Sequence, residues 1–357
     1  MVWIACLLLV AGCATGPSDV GDEDEPPQTL WPKPPTQPRF EFVTMLQGIS
    51  DIRVPTEEQR LKQRLTGVDE LKGKAYHTPS AVASRAGRVY VADTLQNAIV
   101  VFDIPRRRIF TFGRREPNSV QRPQSLAIDG GGLVYVLDTL LKSVLVFDSL
   151  GLHLKTFKLE DDVVKPVDVA VNKEGTQVYV VDRGSLRGDD HKILVYGADG
   201  TRLSILGSRG REPGQFDIPL AACVHTDGTL AVLDAGNFRV QLFDQNGEFI
   251  REFGSAGTGP GNFSRPRGLA IDETGLLYVS DAKFNNFQVF NQEGELLMAI
   301  GGMKLRGGPG EYALLGRMGA DELGHVFVTD LFFRKVEVYR RLSDEEGQAL
   351  VARSNGT

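Results

Sequence analysis

Metal, acid–base and nucleophilic chemistry each need particular side chains brought to one point. The chain has five histidines, His77, His153, His191, His225 and His325. Read against the apolar pattern, His225 ends one strand, His325 starts another, His153 sits in a turn, and His77 and His191 lie in loops. Nothing in that spacing brings three of them together, as a zinc site requires. Of the three cysteines, Cys6 and Cys13 fall in the apolar N-terminal stretch. Cys223 stands alone in "LAACVH", where a small core residue is expected rather than a nucleophile, and no disulfide or cysteine-based zinc site follows. The most regular acidic feature is six aspartates closing similar runs: "VYVAD" at Asp93, "VYVLD" at Asp138, "VYVVD" at Asp182, "LAVLD" at Asp234, "LYVSD" at Asp281 and "VFVTD" at Asp330. Six carboxylates could form a cation-holding ring. A carboxylate at a strand end also accepts backbone N–H groups of the next turn, and every repeat needs that turn, so a structural role is expected. Where the innermost strands should begin stand Ser80, Gln124, Val167, Leu220, Arg267 and Gly316, with Asp168 the one nearby carboxylate. That is too sparse for a calcium cage. No cofactor and no metal are expected. The triplet within "RGDD" (187–190) and the run "RRR" (106–108) read as a loop and a solvated turn.

The elements that carry these residues repeat. The six aspartates lie 45, 44, 52, 47 and 49 residues apart, a spacing that marks a stacked or radial repeat. In the fifth unit "RPRGLAID" (265–272) leads through a turn at Gly275 to "LYVSD", then to "FQVFN" (287–291), then through "QEGE" to "LLMAIG" (296–301). Four short strands with period-two alternation, joined by Gly, Asn and Asp turns, make one unit. Such units arranged about an axis make an all-β, six-bladed β-propeller. The sixth unit ends at "VEVYR" (336–340) without a fourth strand, and "RFEFVTML" (39–46) has the look of the fourth strands "FIREFG" and "HLKTFK". The N-terminal strand is therefore expected to close the last blade and remove an exposed edge. Within 56–72, Thr56 with Gln59 and the helical spacing of Leu61, Leu65 and Val68 predict a helix inserted before blade one.

Segments such as "RPQSLAIDGGGLVYVLDTLLKSVLVFDSLGLHLKTF" and "RPRGLAIDETGLLYVSDAKFNNFQVFNQEGEL" resemble NHL repeats, a likeness spanning about residues 76–340. The "WPKPP" and "RFEF" stretches resemble bacterial exported NHL-propeller lipoproteins. Enzymatic relatives of that fold, the amidating lyases with histidine-held zinc and the lactonase-like hydrolases with caged calcium, need ligands converging from several blades. The alternative implied by them is a metal-dependent lyase or lactonase. "LVAGC", Leu9 to Cys13, resembles the bacterial lipobox, which implies cleavage before Cys13 and lipidation of its thiol. With Ala14 following, the resemblance implies the outer membrane, facing the periplasm or cell surface. The expected organisation is a signal peptide (1–12), a Pro-rich acidic tether (13–38), the propeller (39–342) and a C-terminal tail (343–357).

The charged residues sort by face. Connections from second to third strand and from blade to blade emerge on one side, here called upper. The between-blade connections sum to +5, whereas the lower inner turns sum to −4 and the lower outer turns to −3, in a chain of net charge −6. That overall charge gives no argument for nucleic acid, and none is expected as a partner. The binding residues expected on the upper face are Arg122, Arg183, Phe238, Arg265, Arg267, Phe284, Arg317, Phe332, Phe333 and Arg334, with Arg239, Lys283 and Lys335 beside the aromatics. Arginine and aromatic side chains are the usual interface anchors. They point to a binding or scaffold module, its partner another envelope protein or an anionic polymer.

Overall fold

The computed structural model describes residues 28–304 and 306–355. Six four-stranded antiparallel blades form a six-bladed β-propeller. The inner strands are Pro79–Arg85, Pro123–Ile128, Pro166–Val171, Pro219–Val224, Pro266–Ile271 and Leu315–Ala320, numbered blades one to six. Burial follows position in the blade. Second and third strands such as Val134–Asp138 and Ser143–Phe147 are buried at every residue, because neighbouring blades cover both faces. Outer strands such as His153–Lys158 alternate with solvent. The apolar side chains gather into six clusters, one between each pair of adjacent blades. Phe216, Phe263 and Tyr312, from between-blade connections, are completely buried in three of them. Each buried aromatic of this kind contributes about 1.5–3 kcal/mol.

The ring closes as the missing strand requires. Phe40–Leu46 pairs antiparallel with Lys335–Arg341, from Phe40 opposite Arg341 to Leu46 opposite Val336. Pairing starts earlier than the tether reading had it: Leu30 and Trp31 add a further strand against Glu41 and Phe40, and the Trp31 ring meets Tyr339 edge-on at 5.3 Å. Apolar Leu30 and Trp31 sit inside a Pro-rich stretch, and composition averaged over that stretch hides them. The C-terminal segment forms a helix, Asp344–Asn355, tied back by Arg340, which bridges Glu41 at 2.6 Å and Glu346 at 2.8 Å.

The inserted helix spans Glu57–Thr66 and is opened by the Thr56/Gln59 capping box. It ends sooner than residue 72, because Gly67 takes a φ of 71° and breaks the helical run. Leu61, Leu65 and Val68, whose helical spacing points to this helix, are exposed.

Candidate functional site: the upper mouth of the channel

Two local devices build the upper mouth. The first is the repeated aspartate, and all six are fully buried. At Asp281 one carboxylate oxygen accepts the N–H groups of Ser264 and Arg265 at 2.7 and 2.9 Å, and the other accepts those of Lys283 and Phe284 at 2.8 and 3.3 Å. Asp138 does the same for Gln121, Arg122, Leu140 and Leu141, and Asp330 for Ala313, Leu314, Phe332 and Phe333. Each carboxylate thus pins a between-blade connection to the turn beside it, which is the structural role expected of the repeat.

The second device is a register shift just after the start of every inner strand. It falls between Pro79 and Ala81, Pro123 and Ser125, Pro166 and Asp168, Pro219 and Ala221, Pro266 and Gly268, and Leu315 and Met318. Proline suits the first residue of a strand because it has no N–H to place, and a bulge re-aims the side chain that follows. The residues in these shifts, Ser80, Gln124, Val167, Leu220, Arg267, Gly316 and Arg317, all line one pocket of about 400 Å³. Thr78, Thr94, Arg183, Leu314, Leu315 and Leu331 complete it.

The arginines there fall into two states. Arg317 crosses the channel: its guanidinium donates to the Leu220 and Val167 carbonyls at 2.7 Å each and pairs with Asp168 at 3.1 Å. Asp168 also accepts from the Ser125 hydroxyl and from the Ala222 N–H at 2.9 Å. Burial pushes the Asp168 carboxyl up, against the opposing pull of Arg317 and these donors. The pair plugs the channel below the mouth, with its charges cancelled. Arg183 and Arg267, which line the pocket, are different, as is Arg265, exposed on the rim outside it. None of their guanidinium groups has an ion-pair or hydrogen-bond partner among the described residues, and the Arg183 Nε is buried without one. Burial lowers the pKa of Arg267, and the charges of Arg265, Arg317 and Arg183 lower it further against the opposing pull of Asp281. It stays a cation nonetheless.

The other residues expected on this face do not converge on the mouth. Arg122 is exposed on the upper rim, outside the pocket. Phe238, at a φ of 58°, packs against the core between blades four and five, and Phe284 is half-buried in its turn. Phe332 is 65% exposed and meets Phe333 edge-on at 5.1 Å, with exposed Arg334 following. Two basic residues counted beside the aromatics are not surface charges at all. Lys335 is fully buried, paired with Glu337 at 2.5 Å and donating to the Glu311 carbonyl at 2.7 Å. Arg239 is buried between Asp234 at 2.9 Å and Glu252 at 2.6 Å. Their sequence positions are those of surface turns, but the charge points inward to hold the between-blade loop.

The groups that could serve catalysis are dispersed. His191 is buried and joined to Ile218 N–H and the Ser185 carbonyl, and His225 lies at the lower mouth beside Asp227. Burial, with Asp168 nearby, pushes the Cys223 thiol up and away from thiolate chemistry. Among the described residues no group of three or more His, Cys, Asp or Glu side chains is placed to hold a metal ion. Sequence reasoning missed the Arg317–Asp168 plug. The available signal was that both residues stand two positions after the start of their inner strands, where Ala81, Ala221 and Gly268 elsewhere are small.

A family model described as a 6-bladed beta-propeller matches residues 220–287. No curated protein matches the chain. Among solved structures, a protein of unknown function from Bacteroides thetaiotaomicron superposes with a TM-score of 0.61 at 15% identity, over 85% of this chain and 76% of that one. A streptogramin B lyase gives 0.53 at 14% identity, over 75% and 95%. Hydrazine synthase of Kuenenia stuttgartiensis gives 0.52 at 12% identity, over 78% and 99%. At such identities the likeness establishes the propeller and nothing about activity.

Proposed function

We propose that this chain is an NHL-type propeller of the bacterial envelope, lipid-anchored at the outer membrane, that docks an anionic partner on its upper face. The partner is another envelope protein or an anionic polymer. The anchor and location rest on the lipobox-like "LVAGC" ending at Cys13, which lies outside the described residues. The binding role rests on one observation: Arg183 and Arg267 line the upper mouth, Arg265 stands near Arg267 on the rim, and none of the three guanidiniums has a hydrogen-bond or ion-pair partner among the described residues. Exposed positive charge of this kind steers encounter, and aromatic anchors such as Phe332 then slow departure.

The test is capture of the partner from native envelope by the anchored chain and by variants. Arg122→Glu with Arg265→Glu is expected to abolish capture, whereas Glu248→Lys with Glu293→Lys on the lower face leaves it intact. The opposite pattern would place the binding face below. Metal analysis of the same purified chain decides against catalysis by zinc or calcium if neither is stoichiometric, and for it if one is.

A further inference from the structure

We propose that the upper mouth is a discrete pocket for one small polyanion, a compact di- or tricarboxylate or a phosphate ester, and not merely part of a charged surface. The proposal rests on the basic-face reading above and gives that face its ligand chemistry. Three observations carry it. The first is charge: Arg317 is paired with Asp168, whereas the guanidiniums of Arg183 and Arg267 line the pocket with no hydrogen-bond or ion-pair partner among the described residues, and Arg265 stands near Arg267 on the rim. A monoanion would leave one of the two pocket charges unmatched. The second is chemistry: planar guanidinium forks match the paired oxygens of carboxylate and phosphate. The third is size and lining. The pocket of about 400 Å³ suits a small molecule. Around it, Arg183 stands on blade three and Arg267 on blade five, flanking Leu220 of blade four. The opposite wall offers the Thr78 and Thr94 hydroxyls, the Gln124 amide and the apolar Leu314 and Leu331. An anionic head against the arginines, with a short stem across to that wall, uses every part of the lining.

The same cluster makes a claim about the protein alone. Arg267 gains no bond in the fold and loses hydration, so its charge opposes folding. Neutralising it should leave the melting temperature of the ligand-free chain equal to or above that of the wild type, which no structural arginine would do.

The experiment is calorimetric titration of the full chain at constant ionic strength. One arm uses inorganic phosphate and pyrophosphate, the other succinate and tricarballylate, and acetate serves as the monoanion. Saturable one-to-one binding is expected from at least one multivalent arm and none from acetate; the arm that binds identifies the oxygen chemistry. Arg183→Gln and Arg267→Gln should each weaken that binding about tenfold or more, while Arg122→Gln and Arg334→Gln on the same face change it little. No binding in either arm, binding undiminished in Arg267→Gln, or a lower melting temperature for ligand-free Arg267→Gln would each overturn the pocket. Should the anions fail while Arg122→Glu with Arg265→Glu still abolishes partner capture, the pocket falls and the docking face stands. Should the anions bind while capture ignores those reversals, the docking face falls and the pocket stands.

Discussion

The channel's two mouths are built from the same repeat but use charge differently. At the lower mouth Asp272 and Asp321 are occupied, while the second carboxylate oxygen of Glu322 is buried without a partner. Asp272 accepts the N–H groups of Thr274 and Leu276 and the Tyr278 hydroxyl, and Asp321 accepts those of Leu323 and His325, with the His325 ring at 3.2 Å. Glu322 caps the Ala86 N–H across to blade one. At the upper mouth the repeated aspartates are spent the same way, on backbone amides, but the arginines beside them are not spent at all. A face's summed charge therefore says little about its field. What matters is how each charge is held: at the upper mouth the Arg183 and Arg267 guanidiniums have no partner among the described residues, whereas at the lower mouth Asp272 and Asp321 are bonded and one oxygen of Glu322 is left over.

The largest expected effect tests the plug that separates the mouths. Arg317→Ala leaves Asp168 buried without its counter-charge and should destabilise the chain by about 3–5 kcal/mol in denaturant unfolding. A loss below about 1 kcal/mol would mean the pair does not seal the channel. Next come the clamps. Asp281→Ala strands four amides near the mouth, and Asp272→Ala strands a comparable set below. At about 1–3 kcal/mol for each buried unsatisfied group, with water rescuing part, both should cost about 2 kcal/mol or more. A large cost above and none below would show that the lower carboxylates are not structural. Smaller still is the effect on docking. Arg265→Glu with Arg267→Glu should slow association and flatten its salt dependence, while Phe332→Ala should speed dissociation by about thirtyfold, the loss of about 2 kcal/mol typical of an anchor. Surface plasmon resonance with the captured partner separates the two rates. The smallest effect is that of Glu293→Gln on the exposed lower rim, expected to shift stability by no more than about 0.5 kcal/mol.

The fold was legible because its signals are local and repeated. The strand alternation, the Gly and Asp turns and the orphaned sixth blade with its lookalike at residues 39–46 all come from short stretches. The aspartate clamp was legible for the same reason, since a residue that serves the backbone recurs with the backbone. The site was legible only in part. Arg183, Arg265 and Arg267 could be assigned to a face by counting connections, but whether each was paired depended on residues from other blades. Lys335 and Arg239 show that pairing is hidden even within one blade: each has the position of a surface cation, and each is held inside, by Glu337 and by Asp234 with Glu252. Arg317 is the sharpest case, because its partners Asp168, Val167 and Leu220 lie 97 to 150 positions away in the chain. No spacing rule links them; only closure of the ring does.

The most direct measurement is a crystal structure of the chain soaked in selenate, a dianion whose anomalous signal marks its position. A selenate held at the upper mouth between Arg183 and Arg267 is expected, and its loss in Arg267→Gln crystals. A mouth without selenate, or selenate bound instead along the lower face, would contradict it.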